Sequence, residues 1–141
     1  MKVSENEHTE YWKKTSVVDE LIGKEGRPKI VCLCGSARFY EKFKQVNMWE
    51  SLAGRIVLSI AADKTLETIF NLTESQGVLI RELHLRKIDL CDEILVLNVG
   101  GYIGETTGEQ IKYAVKHSKG IRFLEPIPDC FKLTEGEEDE P

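Results

Sequence analysis

The sequence predicts a single α/β domain whose mainly parallel sheet is covered by helices on both faces, and three observations point there. Four short apolar runs rich in β-branched residues stand at 29–34, 55–61, 93–99 and 121–125. Each has the length of a strand rather than a helix, and runs of this kind suit strands buried on both faces. The segments between them carry apolar residues at helical spacing. Strands joined through single helices need crossover connections, which make neighbouring strands parallel.

The elements follow in order. Lys29-Ile30-Val31-Cys32-Leu33-Cys34 is the first strand, ended by Gly35. Residues 38–53 read as a helix, with Phe39, Phe43, Val46, Trp49 and Leu52 spaced along one face and Gly54 as its stop. The second strand covers 55–61, and the polar segment after it shows no clear pattern. Residues 78–91 read as a helix with Leu79, Leu83, Ile88 and Leu90 turned inward. The third strand covers 93–99 and runs into a loop holding Gly100, Gly101 and Gly104. Residues 107–118 form the last helix, with Ile111 and Val115 inward and Lys119-Gly120 closing it; the fourth strand is 121–125.

This places the domain at 29–125, between two polar flanks. Residues 1–28 read as an N-terminal extension with one short amphipathic stretch carrying Tyr11, Trp12, Val17, Val18, Leu21 and Ile22. Residues 126–141 end in an acidic tail with nothing to bury, which predicts disorder. A chain of 141 residues, 41% hydrophobic and 30% charged, suits one ordinary soluble domain. Its N-terminus lacks the apolar stretch of a signal peptide, and no run reaches the length of a membrane span. Four cysteines, placed within apolar segments, suggest reduced thiols and a cytoplasmic protein. A formal charge of −5 carries no electrostatic footprint for a nucleic-acid polymer, so the partner class is a small molecule.

Two loops carry the chemistry, because ligands of parallel sheets bind outside the carboxyl ends of the strands. The first is Cys34-Gly35-Ser36-Ala37-Arg38. Gly35 lets the backbone approach a ligand, free N–H groups at the helix start attract an anion, and Ser36 and Arg38 can bond its oxygens. The same spacing equally fits a plainer reading, with Ser36 as a helix cap and Arg38 as a solvated first-turn residue. The second loop runs from Asn98 through Gly101, Tyr102, Glu105, Thr106 and Thr107. Tyr102 and Ile103 suit a wall for a base or sugar, while Thr106 or Thr107 is also an ordinary N-cap.

At these residues the chain resembles the nucleoside 2-deoxyribosyltransferase superfamily, in particular its deoxynucleoside-monophosphate N-glycosidase branch and a bacterial and phage subgroup of it. Cys34-Gly35-Ser36-Ala37-Arg38 is similar to that family's Cys-Gly-Ser-x-Arg loop. Leu90-Cys91-Asp92, the third strand, and Gly108 through Ala114 are similar to its Ala-Asp-strand-loop-Glu-Leu-Gly-Tyr-Ala stretch. The resemblance covers roughly 29–125. It implies a Rossmann-like (flavodoxin-like) fold, a homodimer or higher homo-oligomer, and cleavage or transfer of the N-glycosidic bond of a deoxynucleoside or its 5′-monophosphate. It also implies a carboxylate nucleophile, no cofactor and no metal. Trp12, Trp49 and Phe131, large apolar groups in a small domain, agree with association.

The chain departs from that pattern at two positions. Aligned on Tyr113-Ala114, the nucleophile's place holds Gln110, and losing a covalent nucleophile costs roughly 10³- to 10⁶-fold in rate. Glu109 lies about 100° away around the helix and does not simply replace it. Three accounts of Gln110 stay open: an engineered substitution, a natural loss that leaves a nucleotide-binding module, or another acid such as Glu105 or Glu109 acting instead. His84 stands eight residues before Asp92, where the monophosphate hydrolases carry a catalytic aspartate, and it can transfer protons near neutral pH. Cys32 and Cys34 point to one face of a strand and read as core thiols, and His8, His84 and His117 show no zinc spacing. Asp89 and Asp92 are assigned to the turn between helix and strand. The charges at Lys42, Lys44, Arg81, Arg86 and Lys87 are assigned to solvated helix faces.

Overall fold

The computed structural model describes residues 26–62 and 71–127, so most of the N-terminal extension, the acidic tail and part of the polar segment after the second strand lie outside the described residues. In chain order the elements are β1 (Ile30–Cys34), a 3-10 turn (Ala37–Phe39), α1 (Tyr40–Leu52), β2 (Ile56–Leu58), α2 (Glu74–Leu90), β3 (Glu93–Val96), a second 3-10 turn (Val99–Gly101), α3 (Glu105–Lys116) and β4 (Gly120–Phe123). The four strands form one all-parallel sheet in the order β2-β1-β3-β4. The chain steps from β1 outward to β2, then crosses back over β1 to β3 and continues to β4. The order therefore reverses between β1 and β3, and ligands of such sheets gather at that reversal. Among the described residues no helix is long and apolar enough to cross a membrane.

Strand alternation divides the core into two clusters. Val31, Leu33, Leu95 and Leu97 pack with Phe43, Val46 and Trp49 of α1. Cys32, Cys34, Ile94 and Val96 pack instead with Ile88 of α2 and with Ile111 and Ala114 of α3. Successive side chains of β1 thus serve opposite layers, the period-two geometry of a strand buried on both sides.

The helix starts differ from the sequence expectation, each for a local reason. α2 begins at Glu74 rather than 78, because Thr73 and Gln76 form a reciprocal capping box: the Gln76 N–H donates to Thr73 Oγ1 and the Thr73 N–H to Gln76 Oε1. α3 begins at Glu105 with Gly104 as N-cap, so neither Thr106 nor Thr107 caps it. β2 stops at Leu58, and the chain beyond it leaves the sheet.

The inward face assigned to α2 also needs correction. Leu79, Leu83 and Leu90 are 55, 48 and 65% exposed, whereas His84 and Ile88 are buried. The three leucines share a stripe roughly opposite Ile88 at 100° per residue. Apolar spacing alone selected that stripe because the residue that joins Ile88 against the sheet is a histidine.

Two polar devices secure the sheet's margins. Glu50, fully buried in α1, accepts from Arg55 at 3.1 Å and from Arg122 at 2.7 and 3.2 Å, and Arg122 also donates to Glu93 at 2.8 Å. This joins α1 to β3 and β4. Asp92 does serve the turn before β3: Arg27 donates to both its oxygens at 2.8 and 3.0 Å, and the Ile30 N–H donates to it at 2.8 Å. Those bonds, with Arg27's the largest influence, pull the Asp92 carboxyl down to about 2.

Replacing Glu50 with alanine removes the buried carboxylate that Arg55 and Arg122 share, and urea denaturation is expected to show a loss of roughly 3 kcal/mol. A loss below about 1 kcal/mol would mean the network contributes little. The Asp92 effect depends on pH. Its folded value lies below the unfolded value of about 4, so its stabilisation is complete above that value and fades as pH falls through the folded one. The gap in urea midpoint between the chain and Asp92→Asn should be full at about pH 7 and nearly closed at about pH 2. A gap independent of pH would contradict this.

Candidate functional site

A cavity of about 380 Å³ opens at the carboxyl edge of the sheet, beside the reversal between β1 and β3. The loop after β1 contributes Gly35, Ser36 and Ala37, and the chain after β2 contributes Ile60, Ala61 and Ala62. α2 supplies Ile80, Arg81, Leu83, His84 and Lys87 from the side. Tyr102, Gly104, Glu105, Thr106, Thr107 and Gln110 close it from the third loop and the start of α3. Lys87 Nζ donates to the Ser59 carbonyl at 2.7 Å, which holds α2 against the segment that leaves β2.

The two glycine loops meet across the mouth. Arg38 is exposed, with its guanidinium carbon 4.5 Å from the centre of the Tyr102 ring, and Phe39 meets the same ring edge-on at 6.0 Å. Tyr102 thus joins the loop after β3 to the turn after β1 through a cation–π contact and an aromatic edge. Gly104 permits this fold-over, because a Cβ there would stand 2.9 Å from the Tyr102 hydroxyl oxygen. Gly35 is closed in on several sides, its Cβ position lying 3.2 Å from Leu97 Cβ, the Leu97 carbonyl oxygen and the Phe43 ring. The Ser36 hydroxyl accepts from the Arg38 N–H at 3.3 Å, so it caps the 3-10 turn while also lining the cavity.

The remaining expected site residues divide into those on the cavity wall and those outside it. His84, Glu105, Thr106, Thr107 and Gln110 lie on it with Gly35, Ser36 and Tyr102. Arg38 stands at the rim. Asn98 lies below, 1% exposed, with its amide donating to the Glu125 carbonyl and accepting from the Glu125 N–H, both at 2.9 Å. That pair ties the end of β3 to the end of β4. Gly101 sits in the second 3-10 turn, where its N–H donates to the Asn98 carbonyl at 2.9 Å. Glu109 faces a second cavity, about 260 Å³ between α2 and α3, whose wall it shares with Gln110.

Gln110 stands in the second turn of α3, two residues further into the helix than a start at 107 would place it. It is 8% exposed. Among the described residues its amide has no hydrogen-bond partner, although it carries two donors and a carbonyl acceptor. The amide's polar atoms are not sealed off from solvent; they open onto the cavity, where a ligand's polar atoms can meet them.

His84 has a different surrounding. Its Nε2 lies 3.6 Å from Cys32 Sγ and 3.5 Å from Cys34 Sγ, leaving Nδ1 as its other ring nitrogen. The thiols lie side by side because alternate residues of β1 face the same way. The Cys34 thiol's hydrogen bond, with the His84 imidazole behind it, brings Cys32 down to about 6, while Cys34 is pushed up by the same bond and by burial. Burial pushes Cys91 up to about 12. The cavity walls from Ile60 to Ala62, Arg81 and Lys87 were not assigned to a site from the sequence. The rule that every strand's carboxyl end feeds one edge would have found the first of these.

Comparison of the chain with protein-family models, with curated proteins and with solved structures finds no match.

The two close-packed glycines should respond differently to alanine. Gly35→Ala must displace backbone and two core side chains, and a stability loss of about 1–3 kcal/mol is expected in urea unfolding. Gly104→Ala meets only the free end of Tyr102, so its stability should change by less than about 1 kcal/mol. The Tyr102 ring-current shift on the Arg38 side chain should then disappear from the NMR spectrum. Equal losses for the two variants would refute the assignment of distinct roles.

Proposed function

We propose that this domain binds a deoxynucleoside or its 5′-monophosphate in the cavity beside the β1–β3 reversal, in an arrangement suited to cleavage or transfer of the N-glycosidic bond. The observation that carries the reading is Gln110, a largely buried residue whose amide has no hydrogen-bond partner among the described residues and opens onto the cavity. It stands at the position where the resemblance places a nucleophilic carboxylate. The cavity volume lies within the range of small-molecule sites. Ser36, the N–H groups at the start of the 3-10 turn and Arg38 at the rim form the polar end that an anionic group would use. Tyr102 offers an aromatic face beside it.

In such a reaction a carboxylate attacks the anomeric carbon as the bond to the base nitrogen breaks. The departing base takes the electron pair and a proton, and water or a second base then releases the sugar. Gln110 holds the place but lacks the charge. The same observation favours a second reading, in which the chain is a nucleotide-binding module that does not turn its ligand over. Glu105, the one carboxylate among the described residues that line the cavity, is the alternative acid.

One experiment separates these readings. The chain and its Gln110→Glu variant are incubated with a panel of deoxynucleosides and their monophosphates, binding is followed by calorimetry, and free base by chromatography. The expected result is binding by both and base release by Gln110→Glu at least roughly 10³-fold faster. Full activity with Gln110 in place, lost in Glu105→Gln, would move the nucleophile to Glu105. Binding without release in every case would leave the module reading, and no binding by either chain would overturn the proposal.

A further inference from the structure

Cys32, Cys34 and His84 converge on one point in the interior. They are 0, 0 and 5% exposed, and their ligating atoms all lie within 4.8 Å of one another. Both sulfurs approach the same nitrogen, Nε2, at 3.6 and 3.5 Å. A single imidazole nitrogen either donates one proton or accepts one, so it bonds one thiol at a time, and Cys32 Sγ has the Leu33 carbonyl at 4.0 Å as a further acceptor. Three donors around a shared ion need no such allocation. With Zn–S of about 2.3 Å and Zn–N of about 2.0–2.1 Å, a tetrahedral centre separates sulfur from nitrogen by about 3.5–3.6 Å. The observed spacings match those edges.

The backbone presets this arrangement. Cys32 and Cys34 leave β1 on the same face two residues apart, and β1 is paired on both sides, with β2 and with β3. His84 comes from α2, one turn before Ile88, whose side chain is packed in the same cluster as the two thiols. No fold rearrangement is needed to bring the three together.

We propose that Cys32, Cys34 and His84 bind a borderline-soft ion of the zinc type, independently of what occupies the neighbouring cavity. Two thiolates and an imidazole are the donor set that selects such ions over magnesium or calcium. Three protein ligands leave a four-coordinate ion one position short. His84 is the ligand that also lines the cavity, so the fourth position is one for water or for a donor atom of a molecule bound there.

The test uses the full chain, reduced and stripped of metal, titrated anaerobically with Co²⁺ and then displaced by Zn²⁺. One equivalent of Co²⁺ should produce a thiolate-to-cobalt charge-transfer band in the near ultraviolet and the intense visible bands of a tetrahedral site. Zn²⁺ should abolish both. Cys32→Ser, Cys34→Ser and His84→Ala should each weaken zinc binding by at least roughly 100-fold, more than an outer-shell change costs. Cys91→Ser should leave the bands in place. Because a buried substitution can impair folding, X-ray absorption of the unmodified zinc-loaded chain gives a second reading. Two sulfurs at about 2.3 Å with the remaining ligands nitrogen or oxygen support the site. Absence of the charge-transfer band, coordination without sulfur, or affinity unchanged in Cys32→Ser and Cys34→Ser would overturn it.

Discussion

The parallel pairing of β1 with β3 is the constraint on which the rest of the molecule depends. Its register, Val31 with Glu93 through Cys34 with Val96, is continued by the Leu97 N–H donating to the Cys34 carbonyl at 2.8 Å. That last bond sets the ends of the two strands side by side. The loop after β1 and the loop after β3 then have to leave the same edge of the sheet together, and Gly35 can press against Leu97 only because the strands end in step. A slip of one residue would turn every β1 side chain to the opposite layer. It would carry Cys32 and Cys34 away from His84 and place Val31 and Leu33 there instead.

Buried polar groups fall into three states here, and the differences mark what each one does. Glu50 and Asn98 are fully engaged, Glu50 by two arginines and Asn98 by both backbone groups of Glu125. They join elements that would otherwise meet only through apolar contact. The Cys32–Cys34–His84 group is engaged chiefly within itself, with the Leu33 carbonyl as a further acceptor 4.0 Å from Cys32 Sγ. Gln110 is engaged with nothing among the described residues. An unpaired amide that opens onto a cavity is where a ligand is expected to supply hydrogen-bond partners.

The fold was readable in the sequence because buried parallel strands and amphipathic helices write themselves in the order of residue types. Ile30 to Cys34 and Glu93 to Val96 could be placed from their apolar runs, and α1 from Phe43, Val46 and Trp49. The edge strand β2 was overestimated, since Ser59 to Ala61 remain fairly apolar after leaving the sheet to border the cavity. α2 was turned to the wrong face for a comparable reason. Hydrophobic spacing presumes that the buried stripe is apolar, and here a histidine takes part in it while three leucines do not. The capping box at Thr73 and Gln76 was a legible signal for the start of that helix.

By itself the sequence determined the class of fold, the two glycine loops and the edge of the sheet at which they gather, because these follow from local periodicity and from the rule that crossovers order parallel strands. It also singled out Gln110 as an amide standing where the resemblance implies an acid. Only the tertiary structure decided that this amide opens onto the cavity without a partner, that Asn98 is consumed by Glu125, and that Arg38 stacks on Tyr102 rather than on the cavity floor. Only it brought His84 to Cys32 and Cys34 across about fifty positions of chain. The physical reason is that each of these depends on which face of a helix meets the sheet. That choice is made by the packing of the whole layer and leaves no trace in the spacing of any one segment.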